Sequence, residues 1–204
     1  MRRIPLSRRS HIVGFQAYSP GLIEHESTLE RDFVTVTRFR DAAAVIFPQP
    51  ITLSFLDGGQ SRHYTPDYFV RWGNGTCELI EVKYRRDLKE QWKSLRAAFI
   101  AARSWAQEQG ATFRIATDRS IRGPFLENAK RLLTLRGAPL DQRFADQLRS
   151  ALNALPDPTF GALAATVPGE RGAILGALWR MIARGELRAD LTVPIGLHTP
   201  LRLP

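Results

Sequence analysis

Apolar positions recur along this chain with two different periods, and the switches between them mark out its elements. Residues 28–40 carry Leu29, Phe33, Val36 and Phe39 on one stripe at helical spacing, which predicts a helix. The run Val34-Thr35-Val36-Thr37 inside it is β-branched and pulls towards a strand. Strands are predicted at 44–47, 51–56, 63–72 and 76–85, with turn signals at Asp57-Gly58-Gly59 and Gly73-Asn74-Gly75. Residues 87–109 then place Leu88, Trp92, Leu95, Phe99 and Ala102 on one helical stripe, stopped by Gly110. Trp92 and Trp105 read as packing residues of that helix, with stacking on nucleic-acid bases as the alternative. A strand at 111–116 and a helix at 124–136 complete a mixed α/β pattern, a β-rich core flanked by helices.

The character changes at Gly137-Ala138-Pro139. Helices are predicted at 141–155, 159–165 and 170–184, and segments 187–193 and 195–203 are expected to pair as a short wing. Three helices and a terminal hairpin read as a small winged-helix-like domain. Residues 1–20, with Pro5 and Pro20, read as irregular. The organisation expected is therefore a basic arm over 1–20, a main domain over 21–137 and a C-terminal domain over 138–204.

Composition narrows the class of partner. The chain has 204 residues, 44% of them hydrophobic, enough for a substantial core. Its formal charge of +9 fits a polyanionic partner. Residues 1–136 hold 22 Lys+Arg against 14 Asp+Glu, and residues 137–204 hold 7 against 6, so the excess lies in the first part. Arg2, Arg3, Arg8 and Arg9 make an N-terminal arm able to follow DNA or merely to solubilise. The single cysteine, Cys77, excludes an intrachain disulfide and reads as a small residue of a strand in a reducing compartment. Neither a signal-peptide pattern nor an apolar run of membrane-spanning length is present, so a cytoplasmic, DNA-associated protein without a membrane partner is expected.

The chemistry concentrates in two short runs, His63-Tyr64-Thr65-Pro66-Asp67 and Glu81-Val82-Lys83. Side chains alternate along a strand, so Glu81 and Lys83 share a face, and the expectation is that Ile80 and Val82 anchor in the core while the charged pair looks into a cleft. A hairpin closed by Gly73-Asn74-Gly75 brings Asp67 beside them. Mg²⁺ takes hard oxygen ligands, commonly one or two carboxylates plus substrate phosphate. Asp67 and Glu81 fit that demand, the Val82 carbonyl adds an oxygen, and Mn²⁺ is expected to substitute. Lys83 is suited to orient or deprotonate a water or to stabilise charge on a phosphorus centre. The bland alternative is a solvated strand face with Asp67 as a turn residue. Arg85, Arg86 and Lys89 follow at the strand-to-helix junction, where they suit contact with a DNA backbone. Glu30, four residues beyond Glu26, reads by itself as the partner of Ser27 in a capping box.

Taken together, Ser27-x-Leu29-Glu30-Arg31-Asp32-Phe33, Gln49-Pro50, Tyr64-Thr65-Pro66-Asp67-Tyr68 and Glu81-Val82-Lys83 resemble the TnsA family of endonuclease subunits of heteromeric transposases. The resemblance covers about the first two-thirds of the chain at motif level. It implies a restriction-endonuclease-like fold, a mixed sheet flanked by helices, with a small C-terminal winged-helix-like domain. It also implies a catalytic set of Glu30, Asp67 and Lys83, joined here by Glu81, with Glu30 binding a second metal or tuning the water network. The implied activity is Mg²⁺-dependent cleavage of double-stranded DNA at the 5′ ends of a mobile element. The implied partners are an integrase-type transposase and an AAA+ ATPase regulator. Two other readings are an autonomous restriction or repair nuclease of the same fold, and a non-catalytic DNA-binding assembly protein.

Overall fold

The computed structural model describes residues 27–204, together with the backbone of two short strands before them. Those strands, β1 (Gly14–Tyr18) and β2 (Gly21–His25), pair antiparallel, so the stretch read as irregular contains a strand. The basic residues Arg2, Arg3, Arg8 and Arg9, and Glu26, lie outside the described residues. By its contacts the chain forms two compact units, Met1–Arg122 and Gly123–Pro204.

In the first unit, α1 (Thr28–Arg40) is helical throughout despite its β-branched run. Burial overrides propensity there: Val34 and Val36 are in the core, and Thr35 satisfies its hydroxyl on the carbonyl of Arg31 at 2.9 Å. The central sheet has the order β3 (Val45–Pro48), β6 (Tyr68–Arg71), β7 (Cys77–Lys83), β8 (Thr112–Thr117). β6 runs antiparallel to both β3 and β7, whereas β7 and β8 are parallel, joined by the 24-residue helix α2 (Arg85–Glu108). A parallel pair needs such a crossover. The separate hairpin β4 (Leu53–Asp57) and β5 (Gln60–Tyr64) turns at Gly58-Gly59, both in the left-handed region.

The two faces of the sheet bury different helices. Tyr68 stacks on Phe33 of α1 with ring centroids 5.4 Å apart and lies opposite Ile80 in the register. The alternate residues Phe69 and Leu79 face α2, where Trp105, Ala102 and Ala106 meet them. Small residues on that stripe let the helix approach the sheet closely, and Trp105 is a packing residue as expected.

Three expectations are corrected here. The predicted strand over 63–72 is two strands, broken at Thr65-Pro66-Asp67, because Pro66 has no N–H to give a ladder. β7 is buried on both faces, not one: Glu81 is only 4% exposed, since the β4–β5 side covers its face as α1 covers the other. Trp92, expected to pack, is 49% exposed.

The first unit ends with α3 (Asp118–Ile121) and the second begins with α4 (Pro124–Leu135). The sequence reading drew the boundary after 137, but α4 packs on α7 (Arg171–Ala183) and belongs with the second unit. That unit adds α5 (Gln142–Ala154) and α6 (Phe160–Thr166), with side-chain caps from Asp141, Thr159 and Glu170 at the starts of α5, α6 and α7. Its core includes Leu148, Leu163, Ile174, Leu178 and Met181. The expected wing does not form as a hairpin. Segments 187–193 and 195–203 share one bridge, Arg188 to Arg202, while the last segment bonds back to the start of α6 through Phe160 and Leu201. Pro200 removes a ladder donor from the second of these segments, which contributes to the interruption. No described helix is long and apolar enough to cross a membrane.

Candidate active site

The site is built where β6 begins and β7 ends. Pairing of Tyr68 with Ile80 sets Asp67 beside Val82, and the Val82 N–H donates to Asp67 Oδ2 at 2.6 Å. The loop before Asp67 is held from the other side. Gln49 sits at φ +43°, unusual for a residue with a side chain, and donates its N–H to the Asp67 carbonyl at 2.8 Å. Gln49 thus helps to fix the backbone of Asp67.

Glu81 is the most enclosed charged group of the site. Its Oε2 accepts from the Tyr64 hydroxyl at 2.6 Å, and its Oε1 pairs with Lys83 Nζ at 3.1 Å. Lys83, two residues on, shares its face as the strand period requires. Burial first, then the charge of Glu81, push the Tyr64 phenol far above its ordinary range, so it remains a hydroxyl donor at any physiological pH. Tyr64 stood in the motif but was assigned no role from sequence; its signal was the alternation along β5 that turns it towards β7.

Asp67 is half-buried, and burial is the largest cause that holds its carboxyl well above the usual carboxylate range. The charges of Glu81 and then Glu30 add to that, while the Val82 N–H and Lys83 act the other way. Glu30 therefore lies near enough to sense Asp67. It is also a cap: Ser27 Oγ donates to Glu30 Oε1 at 2.8 Å and accepts from the Glu30 N–H at 3.2 Å.

A network centred on the exposed Arg122 links the helix carrying Glu30 to the residue after the strand carrying Lys83. Arg122 donates to Asp32 Oδ2 at 3.2 Å, Thr28 Oγ1 at 3.1 Å and the Tyr84 hydroxyl at 3.0 Å. Asp32 is buried, and Tyr84 directly follows Lys83. Neither Arg122 nor Asp32 had been given a role from sequence, because the two are 90 residues apart.

Mg²⁺ fits this donor set in one way only. The described residues hold no group of three or more His, Cys, Asp or Glu side chains able to grip an ion alone. Glu30, Asp67 and Glu81 are thus no closed cage, but an ion held by two carboxylates plus a backbone oxygen and substrate phosphate needs none. Arg85, Arg86 and Lys89 lie exposed at the start of α2, directly after the site strand.

The site therefore lies on a mixed α/β sheet, with an acid before β6, an acid and a lysine on β7, a parallel crossover to β8 and flanking helices. Residues 41–118 match the family model described as TnsA-like endonuclease N terminal. The match takes in Asp67, Glu81, Val82 and Lys83 and begins after Glu30. No curated protein matches the chain.

Proposed function

We propose that this protein is the DNA-cutting subunit of a heteromeric transposase, cleaving the 5′ ends of a mobile element. One observation carries this reading: within the TnsA-like domain, Asp67, Glu81 and Lys83 converge through the Val82 N–H and the Lys83–Glu81 ion pair. Crowded carboxylates of this kind call for a cation. Asp67, Glu81 and the Val82 carbonyl would hold Mg²⁺ or Mn²⁺, with Glu30 acting beyond them on a second ion or on the water network. A metal there supplies charge neutralisation at the scissile phosphate and a more acidic water.

The chain's own groups do the rest. The Val82 N–H and Gln49 N–H hold Asp67 in one orientation. Tyr64 holds Glu81, leaving Lys83 as the group that positions the attacking water or meets the charge developing on phosphorus. Arg85, Arg86 and Lys89 would hold backbone phosphates of double-stranded DNA. An integrase-type transposase joins the 3′ ends and an AAA+ ATPase regulates assembly. The helical unit Gly123–Pro204 serves those protein contacts.

The test is a calorimetric Mn²⁺ titration of wild type and Asp67→Ala, without and with duplex DNA, followed by cleavage assays with the partner transposase. Saturable binding and cleavage, both absent in Asp67→Ala, are expected. Cleavage by Asp67→Ala at the wild-type rate would overturn the site. Full activity of the isolated chain would move it to the autonomous nucleases.

A further inference from the structure

The long crossover helix carries an exposed aromatic ring, Trp92, that the cleavage reading does not use. At its start Arg85, Arg86, Leu88, Lys89 and Trp92 line an open groove of about 530 Å³ without an acidic residue. Trp92 is 49% exposed, an unusual state for the largest side chain on a helix whose other aromatics are covered. Its ring is steadied by Phe99, centroid to centroid 6.2 Å. At 100° per residue Arg85, Lys89, Trp92 and Arg96 fall on one stripe, all exposed, and Arg103 continues it. Arg85 to Arg103 spans about 27 Å of helix. The acids of α2, Asp87, Glu90 and Glu108, lie on other faces. Among the described residues, Arg85 and Lys89 enter no ion pair, so their charge is available to a ligand, whereas Arg86 pairs with Asp87 at 3.2 Å and would exchange that partner for a phosphate.

We propose that this groove is a binding site for an unstacked nucleotide of single-stranded DNA, its base lying on Trp92 and its flanking phosphates on Arg85, Arg86 and Lys89. Cations around one exposed, steadied aromatic ring are the elements of a stacking platform for single strands. A paired base in a duplex has no free face to offer Trp92. The choice of DNA rests on the nuclease reading above, and the groove begins two residues beyond Lys83. It would therefore take a nucleotide splayed out of the helix close to the cut.

The experiment is fluorescence anisotropy with a labelled 12-nucleotide oligodeoxythymidylate, in EDTA so that cleavage plays no part. A second oligonucleotide of equal length and charge consists of abasic residues. Wild type should bind the base-bearing strand about 5- to 150-fold more tightly than the abasic one, the range of one stacked base. Trp92→Ala should lose that preference while binding the abasic strand as wild type does, which also reports that it is folded; Trp92→Phe should keep most of it. Arg85→Gln/Lys89→Gln should lower the slope of log affinity against log salt by about 1.4, two phosphate contacts on a single strand. Equal binding of both strands by wild type, or an unchanged preference in Trp92→Ala, overturns the proposal. So does polyglutamate competing as well as the oligonucleotide, which would assign the groove to an acidic protein. Because no metal is present, a failed nuclease reading would leave this result untouched, and the reverse also holds.

Discussion

Asp67 receives the backbone N–H of Val82 at 2.6 Å, a bond that ties a carboxylate at the head of one strand to the end of its neighbour. It sets the carboxylate of β6 by the register of β7 rather than by its own flexible loop. A single hydrogen bond of this kind favours the charged form, yet burial and the charges of Glu81 and Glu30 outweigh it.

That balance predicts a pH-dependent stability. The folded carboxyl holds its proton more tightly than the unfolded one, so its penalty is complete above the raised folded value and vanishes below the ordinary carboxylate range. Asp67→Asn should therefore melt higher than wild type at neutral pH, with the difference shrinking as pH falls. Saturating Mn²⁺ should narrow it too, by stabilising wild type alone. Calorimetric melting of both proteins from pH 4 to 8 checks this; a difference that does not change with pH would contradict it.

The ion pair between Lys83 and Glu81 predicts asymmetric mutants. Glu81 is buried and Lys83 Nζ, 23% exposed at its side chain, is its cationic partner. Lys83→Met should cost about 2 kcal/mol, below the 3–5 of a fully buried pair, and abolish cleavage. Adding Glu81→Gln should recover much of the stability and none of the cleavage. Urea unfolding of the single and double mutants measures both; a double mutant no more stable than Lys83→Met would show that the pair is not the cause.

Glu30 carries a cap and a charge, and these separate. Glu30→Gln keeps an oxygen for Ser27 Oγ, so stability should hold within about 0.5 kcal/mol while cleavage falls at least 10-fold. Ser27→Ala should do the opposite, costing about 1 kcal/mol of helix capping with cleavage largely retained. Glu30→Gln cutting as fast as wild type would leave Glu30 as a cap alone.

Arg122 should act on the site only through position. Arg122→Gln removes the bonds to Asp32, Thr28 and Tyr84 and leaves Asp32 buried with less compensation, at about 2–3 kcal/mol. Cleavage should slow while Mn²⁺ affinity changes little, because no proposed ligand is touched. Arg122→Lys, which keeps the charge but not the fork, should recover stability more than rate. An Mn²⁺ titration and a single-turnover rate for each variant decide it; a loss of metal affinity matching the loss of rate would place Arg122 nearer the metal than its bonds indicate.

The sequence by itself determined the parts with local causes. Periodicity placed α1 over the residues observed, turn residues closed the β4–β5 and β6–β7 hairpins, and side-chain period put Glu81 and Lys83 on one face. Motif spacing was enough to single out Asp67, Glu81 and Lys83, because hairpin register follows from the turn. Other features needed the tertiary structure. Whether Glu81 looked into a cleft or lay beneath Tyr64 depended on which elements cover that face of β7, a contact between residues 17 apart. The Arg122 network joins residues up to 94 apart, beyond any local pattern. Trp92 fitted the apolar stripe of α2 as well as Phe99 did, yet the sheet covers Phe99 and leaves Trp92 outside. A helix is periodic along its whole length, whereas the surface it packs on is not.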